Sequence, residues 1–264
     1  MPLDRGLMKG TKESPSIAVE RAIEILETIA QRESGMTNSE ISRRLAIPKS
    51  SASYILRTLE NRGYLRRERG TGRYKLGLKV LSLGRGAQTS VGIRDVALPI
   101  LRRLVELTGL TAHLAVLDDG EAVYLEKAES LSFIRIDTWI GRRLDVHSTA
   151  VGKALVATLP ETEVEVILNQ RGLKKRTPKT ITVHAKLLRE LSKVRDQGYA
   201  LDDEENNVGA RCVAAPVLDT FGRAVAAVGV GGTTTQMDKS ALSRAASAVK
   251  EAAREIADQI GYKK

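Results

Sequence analysis

The chain has 264 residues, of which 42% are hydrophobic, 28% charged and only 3% aromatic, and its formal net charge is +10. This composition is that of a globular protein with material for one large or two ordinary domains, and its few aromatic residues argue against recognition of single-stranded nucleic acid by base stacking. No apolar run approaches the roughly 20 residues of a membrane helix, no signal peptide follows Met1, and one cysteine excludes an internal disulfide, so a cytoplasmic protein without membrane contacts is predicted.

The first part of the chain contains a tail and the start of a helical domain. Residues 1–14 are polar and aperiodic, and we expect a mobile tail there. From Ile17 to about Arg32 apolar residues recur at helical spacing, which predicts a first helix. Thr37 and Glu40 have the spacing of a capping box and predict the start of a second helix.

A third helix is predicted between Pro48, which suits a first turn, and Gly63, which suits the position after the last turn. Near its start this helix presents polar side chains outward, as the reading helix of a helix-turn-helix does in the major groove. The candidate DNA-contacting residues of this region are Thr37, Lys49, Ser50, Ser51, Ser53, Tyr54 and Arg57. An ordinary solvated helical hairpin would give the same helical pattern, so the helices alone leave both interpretations open.

A basic hairpin follows the third helix. Two strand-like runs flank Gly70-Thr71-Gly72, which is typical of a β-hairpin. Residues 43–75 contain ten Lys and Arg against two acids, a net charge of +8, as a local phosphate-binding surface requires. We therefore predict a winged helix-turn-helix DNA-binding domain at residues 15–76. The candidate contacts in its wing are Arg67, Arg69 and Arg73.

A linker helix is predicted at residues 77–92. The segment from Leu76 to Leu83 has the pattern of a short apolar helix, and the glycines that follow loosen the chain. Such a helix needs a surface to pack against. Pairing with a second copy of the chain and docking onto its own domain are equally good interpretations of this pattern.

Residues 93–264 alternate between helical and strand-like segments. Helices are predicted at 93–108, 151–158, 161–170, 180–197 and 239–260. Strands are predicted at 111–117, 121–127, 133–139, 211–218 and 223–231. Turns at Asp118-Asp119-Gly120 and at residues 219–222 join strands into hairpins, so an α+β domain with an antiparallel sheet is predicted.

Two glycine-containing segments resemble nucleotide-binding loops but lack an essential residue. The segment 151–154 has His147 where a phosphate loop needs glycine and Ala154 where it needs Ser or Thr. The segment 229–232 lacks the third glycine of a dinucleotide loop, since position 234 is threonine. No metal-ligand spacing connects the remaining candidates, which are His113, His147, His184 and Cys212. No cofactor and no metal are predicted.

The acidic run Asp202-Asp203-Glu204-Glu205 has the pattern of a solvated loop, although the apolar strand after it leaves open that one carboxylate faces a cavity. Cys212 in that strand is most simply a small buried hydrophobic residue. As a nucleophile it would need a neighbouring base, and none is adjacent in the sequence.

Three segments together resemble the IclR family of bacterial transcriptional regulators over residues 17–260. They are the winged helix ending in Tyr74-Lys75-Leu76-Gly77, the run from Gly141 to Leu155, and the run from Gly198 to Val217, which has the family's spacing of Gly, Asp, Glu and Cys. The sequence departs from the family's usual residues at Tyr54, Leu218 and the glycines of the 229–231 strand.

The resemblance implies a GAF-like effector-binding domain at residues 93–264, in a dimer or a dimer of dimers that binds a palindromic operator in double-stranded DNA. It also implies a repressor more than an activator, and a small organic or aromatic acid as the effector. By motif position the pocket would be lined by Phe133, Ile136, Leu144, Ala150, Val151, Asp202, Ala210, Cys212, Gly229 and Gly231.

Two physical arguments accompany this assignment. Ala150 and Val151 precede a predicted helix, whose N–H groups favour a carboxylate. Glycines at 229 and 231 suggest a roomy floor without hydroxyl donors, and hence a ligand bulkier than the smallest keto acids. A GAF-like enzyme that uses Cys212, with the basic domain as a targeting module, is the alternative.

Overall fold

The computed structural model describes residues 16–89, 92–132 and 138–261, and the chain divides into two compact units, residues 1–89 and 90–264. The predicted tail and most of the predicted strand at 133–139 lie outside the described residues. Within the described part of the chain, no helix is both long and apolar enough to cross a membrane.

The first unit contains the predicted winged helix-turn-helix. Its elements are α1 (Ile17–Ala30), α2 (Asn38–Arg44), α3 (Lys49–Asn61), β1 (Leu65–Arg67), β2 (Tyr74–Leu76) and α4 (Lys79–Thr89). The strands β1 and β2 pair antiparallel, with Leu65 opposite Leu76. Gly63 follows α3 with a φ of +79°, which is the left-handed backbone predicted for it.

Local chemistry sets the boundaries of α2 and α3. The hydroxyl of Thr37 accepts the N–H of Glu40 while the Glu40 side chain accepts the N–H of Thr37, so the predicted capping box is confirmed. Pro48 occupies the N-cap of α3 and precedes its first turn, one position earlier than predicted. Between the helices the hydroxyl of Ser42 donates to the carbonyl of Ile47 at 2.6 Å and holds the turn.

The core of the first unit lies between α1, α2, α3 and the wing. The α3 side chains Ala52 and Leu56 are fully buried, while Ile55 and Leu59 are partly buried against them. The other fully buried or nearly buried apolar residues are Ile25, Ile29, Met36, Ile41, Ile47, Leu65 and Tyr74. The inward face that the helical spacing predicts for α3 is therefore the one that packs.

The second unit is an antiparallel sheet covered by helices, as predicted. Its helices are α5 (Ile93–Thr108), α6 (Ala150–Val156), α7 (Glu161–Arg171), α8 (His184–Gln197) and α9 (Lys239–Gln259). Its strands are β3 (Thr111–Asp118), β4 (Glu121–Ala128), β5 (Arg143–Leu144), β6 (Ala200–Asp203), β7 (Ala210–Leu218) and β8 (Ala224–Thr233). Their order in the sheet is β5-β4-β3-β8-β7-β6, and every neighbouring pair is antiparallel.

Alternation along the strands separates two cores. On one face α5 and α9 cover residues such as Val213 and Val228, and on the other α6, α7 and α8 cover residues such as Ala214 and Ala227. A β-bulge at Leu125 interrupts this alternation, because Ala115 pairs with Tyr124 whereas Leu114 pairs with Glu126.

Four details of the second unit differ from the sequence predictions. The short strands β5 and β6 were not predicted. Leu107 of α5 is 71% exposed and does not share the buried face. Helix α8 begins at His184 and not at 180, because the hydroxyl of Thr180 donates to the Glu205 carbonyl at 2.6 Å and accepts the Thr177 N–H at 2.8 Å in a separate turn.

Candidate effector site and nucleic-acid interface

The start of α3 presents the predicted DNA-contacting side chains to solvent. Lys49, Ser50 and Arg57 are exposed, Tyr54 is 69% exposed, and Ser51 and Ser53 are half-buried. The fully buried residues of α3 are Ala52 and Leu56, so the exposed side chains can reach a ligand without disturbing the core.

The wing arginines fall into two groups. Arg67 and Arg69 are exposed, and the guanidinium of Arg67 lies 5.7 Å from the centre of the Tyr74 ring. Arg73 is instead paired with Glu40, and Thr37 is engaged in the capping box with the same carboxylate. The sequence predicted DNA contacts for Arg73 and Thr37. It also indicated the capping box of Thr37, but it gave no sign that Arg73 pairs with Glu40.

A narrow cavity lies on the sheet face that carries α6. The space open to the centre of a water molecule is about 30 Å³, more than one ordered water requires. Seven of the ten predicted effector residues line it: Leu144, Ala150, Val151, Asp202, Ala210, Cys212 and Gly229. Phe133 and Ile136 lie outside the described residues, and Gly231 is not among the described residues that line the cavity.

The first turn of α6 borders the cavity and is locally well determined. Thr149 is its N-cap, and its hydroxyl accepts the N–H of Gly152 at 3.2 Å and donates to the Asp145 carbonyl at 2.8 Å. A Cβ on Gly152 would lie 2.5 Å from the Cα of Val146, so glycine lets α6 approach this segment. The backbone at Ala150 and Val151 is thereby held against the cavity.

Asp202 faces the cavity from β6 and is only 3% exposed. Its Oδ1 accepts the backbone N–H groups of Glu205 at 2.8 Å and Asn206 at 3.2 Å. Burial raises the pKa of Asp202 to about 7, against the opposing effect of these two N–H groups. The prediction of a solvated acidic loop is therefore wrong for Asp202, whereas a carboxylate facing a cavity is what the structure contains.

A buried ion pair connects the two walls of the cavity. The Nζ of Lys153, a fully buried residue of α6, donates to Glu205 Oε1 at 2.6 Å and to the Leu201 carbonyl. Leu201 and Glu205 flank Asp202, so a single ammonium group holds α6 and the Asp202 segment together. Burial raises the pKa of Glu205 against the effect of Lys153, which lowers it.

The opposite end of the cavity has polar residues that the sequence analysis missed. The Nε2 of His113 lies 2.8 Å from the hydroxyl of Thr138, and the His113 ring stacks on Tyr124 with ring centres 4.4 Å apart. Burial lowers the pKa of His113 to about 3 and raises the pKa of Tyr124, so both side chains are neutral at pH 7. Arg142, Asn206 and Asn207 also line the cavity, with Asn206 beside Asp202.

Cys212 lies opposite Asp202 in the β6–β7 register and lines the cavity. Burial and the nearby Asp202 carboxylate raise the pKa of the thiol, so Cys212 is a thiol and not a thiolate at neutral pH. Within the described ranges, no three His, Cys, Asp or Glu side chains are grouped so that they could hold a metal ion.

The interpretation of Gly229 requires a correction. A Cβ at this position would lie 2.8 Å from the Cβ of Ala214 and 2.8 Å from the carbonyl oxygen of Val213. Glycine therefore allows close packing of β8 against β7 and does not provide extra room for a ligand. The expectation of a bulkier ligand loses this support.

Comparison with known proteins identifies the family. Residues 18–69 match the family model for the IclR helix-turn-helix domain, and residues 86–258 match the C-terminal model for bacterial IclR transcriptional regulators. The chain belongs to the IclR family. IclR-family proteins of this kind are DNA-binding transcriptional regulators and not enzymes, which removes the alternative of catalysis by Cys212.

Several regulators are similar to this IclR-family protein over nearly its whole length. XynR of Escherichia coli is 36% identical over 93% of this chain and 97% of its own. KdgR of Dickeya chrysanthemi is 38% identical over 90% of this chain and 78% of its own. The transcriptional repressor AllR of E. coli is 32% identical over 93% of this chain and 91% of its own.

Solved structures support the same assignment. IclR of Thermotoga maritima matches with a TM-score of 0.78 at 35% identity, over 92% of this chain and 98% of that one. An IclR homologue from Microbacterium hydrocarbonoxydans in complex with 4-hydroxybenzoate matches with a TM-score of 0.79 at 26% identity, over 92% and 98% of the two chains.

Proposed function

We propose that this IclR-family regulator is a repressor whose binding to a palindromic operator is controlled by a small organic or aromatic acid. The observation that carries the proposal is the cavity beside Asp202, where seven residues assigned by motif position meet around one space. The complex of the M. hydrocarbonoxydans homologue with 4-hydroxybenzoate and the repressor AllR among the relatives support an acid effector and repression.

In this proposal the acid lies between the first turn of α6 and the Asp202 segment. Its carboxylate faces the backbone at Ala150 and Val151, and Asp202 accepts a hydrogen bond from a hydroxyl of the ligand or from the Cys212 thiol. Leu144 and Val151 provide the apolar wall that small-molecule sites commonly have. The acid changes DNA binding only if it prefers one arrangement of the paired DNA-binding units over another.

The test is calorimetry on the full chain with the acids that raise its melting temperature in a screen of small carboxylic acids. Val151→Trp should abolish binding of each such acid, because Val151 is 5% exposed and lines the cavity. Val166→Trp is the matched control, since Val166 is 54% exposed on α7. Equal affinity of the wild type and Val151→Trp for the same acid would place the effector site elsewhere.

Repression is tested separately from binding. A reporter gene behind the operator should be expressed more strongly when the regulator is deleted, and adding the acid should have the same effect in the wild type. With Val151→Trp the reporter should stay repressed in the presence of the acid. Lower expression on deletion would show an activator instead.

A further inference from the structure

Arg73 of the wing makes several contacts within the first unit. Arg73 immediately precedes β2, and its Nη1 and Nη2 donate to the two carboxylate oxygens of Glu40 at 3.0 and 3.1 Å. Its Nη1 also donates to the carbonyl of Gly35 at 2.9 Å. This two-point pairing fixes the direction of the guanidinium as well as its position.

The same carboxylate caps α2. Glu40 Oε2 accepts the backbone N–H of Thr37 at 2.7 Å and the Thr37 hydroxyl at 3.0 Å. The backbone N–H of Thr37 lowers the pKa of Glu40 most, and Arg73 lowers it further, so the carboxylate is ionised at neutral pH. One side chain therefore joins the start of α2 to the wing.

The backbone is paired at the same place. Met36 and Tyr74 exchange N–H to carbonyl hydrogen bonds of 3.0 and 2.8 Å, which adds the segment before α2 to the wing. Gly35 has a φ of +69°, and a Cβ there would lie 2.7 Å from the carbonyl oxygen of Tyr74. The side-chain contact and the backbone bridge thus act across one gap between α2 and β2.

We infer that Arg73 is a positioning residue, which together with Glu40 fixes the angle of the wing so that Arg67 and Arg69 meet the DNA backbone. Unlike Arg67 and Arg69, Arg73 does not contact phosphate. This inference rests on the proposal that the wing touches DNA, and it reassigns Arg73 from the set of phosphate contacts predicted from the sequence.

The direction in which Glu40→Gln changes the affinity for DNA separates a positioning role of the Arg73–Glu40 pair from a purely electrostatic one. Glu40→Gln removes a negative charge from a DNA-binding unit, so simple electrostatics predicts tighter binding to DNA. If Glu40 holds the wing in place, the same substitution should weaken binding. Glu60→Gln makes the same charge change near the end of α3, outside the proposed contact set, and is the matched control.

The measurement is the affinity of the full chain for a labelled random-sequence duplex as a function of salt, which needs no knowledge of the operator. We expect Glu40→Gln to weaken binding by about threefold to tenfold through the loss of one or two wing phosphate contacts, with a flatter salt dependence. Glu60→Gln should bind as well as the wild type or more tightly. Arg73→Met should add less than about a twofold further loss in the Glu40→Gln background, because both changes break one contact.

Two variants keep the inference testable if Glu40→Gln does not fold, which circular dichroism would reveal. Arg73→Lys retains the charge but not the two-point pairing, so it should weaken binding although the net charge is unchanged. Arg69→Lys, at the exposed tip of the wing, should bind nearly as the wild type does.

Unchanged or tighter binding by Glu40→Gln would overturn the inference, and so would a full additive loss for Arg73→Met in that background. Arg69→Met tests the underlying proposal. Normal binding by Arg69→Met together with weaker binding by Glu40→Gln would exclude a phosphate contact by Arg69 and would leave the positioning role of Arg73 and Glu40 in place. Normal binding by both would overturn the role of the wing and of the pair together.

Discussion

Asp202 illustrates how strongly the surroundings of one residue can differ from what its neighbours in the chain suggest. Four consecutive acids are locally indistinguishable from a solvated loop, yet Asp202 is 3% exposed. Its burial depends on backbone N–H groups that point at its Oδ1 and on Lys153 of α6, which pairs with Glu205. The contact with Lys153 spans 52 positions, which no local pattern in the sequence encodes.

Asp202→Asn should change how stability depends on pH. Because the pKa of Asp202 is about 7 in the folded chain and about 4 in an unfolded one, the folded state binds more protons between these values. The free energy of unfolding of the wild type, relative to that of Asp202→Asn, should therefore fall as the pH rises from about 4 to 7, by up to about 1.4 kcal/mol per pH unit. Urea unfolding of both proteins at several pH values measures this difference.

The comparison with the variant is needed because other groups also titrate. Glu205 has a raised pKa and adds a dependence of the same sign, whereas His113, with a pKa of about 3, adds one of the opposite sign. The effect of His113 is the same in both proteins and cancels in the difference, whereas the charge interaction between Glu205 and Asp202 remains part of the difference. A difference that does not change between pH 4 and 7 would contradict the burial argument.

At the scale of elements, the features that the sequence predicts well are those set by neighbouring residues. The capping box at Thr37, the glycine after α3 and the turn at Asp119-Gly120 depend on a few adjacent positions. The strand β6 pairs with β7, which follows it closely in the chain, whereas the late start of α8 depends on a contact of Thr180 with the more distant Glu205. The residues at the His113 end of the cavity were missed for the same reason, since alternation assigns a residue to a face but not to a neighbouring strand.

The bulge at Leu125 shows a second limit on prediction. Regular alternation would put Glu126 on the same face of β4 as Tyr124, which borders the cavity. The bulge instead turns Glu126 toward α5, where Arg94 pairs with it at 2.5 Å. Lys127 then falls on the cavity face and donates to the Thr138 carbonyl at 2.6 Å.

The recognition helix and the wing should respond differently to loss of an arginine. Arg57→Ala should weaken binding to an operator selected from a random DNA pool by about 1–3 kcal/mol, if Arg57 contacts a base, with a smaller loss on random DNA. Arg69→Ala should weaken binding to both and reduce the salt dependence, because phosphate contacts carry no sequence information.

Titrations of both variants on both DNAs over a range of salt concentrations measure these losses. An equal loss on operator and random DNA for Arg57→Ala would remove Arg57 from the residues that read bases.

At the scale of the whole molecule, two observations suggest that the chain works as a pair. The net charge of residues 43–75 is +8, and these residues belong to the winged helix-turn-helix. A module of this kind presents one reading helix, and such modules commonly act as two-fold pairs on palindromic sites. Near the start of α4, Leu78, Leu81 and Leu83 are 79%, 70% and 56% exposed. Exposed leucines at the start of α4 are the surface that we expect a second copy of the chain to cover.

The double variant Leu78→Glu, Leu81→Glu should therefore be monomeric and bind the operator far more weakly, because introduced charges would face each other across the pair. Light scattering at micromolar concentration measures the mass. The control is Leu107→Glu with Leu131→Glu, two exposed leucines of the second unit. A monomeric wild type at that concentration would contradict the pairing.

The buried ion pair of α6 also has a consequence for the folding kinetics of the second unit. Lys153 is completely buried, and its partners Leu201 and Glu205 follow it by 48 and 52 positions in the chain, so we expect Lys153 to lose its water before both partners are in place. A desolvated charge without its partner is unfavourable, so this step raises the barrier in both directions. The wall of the cavity beside Asp202 should thus be among the last parts of this unit to form.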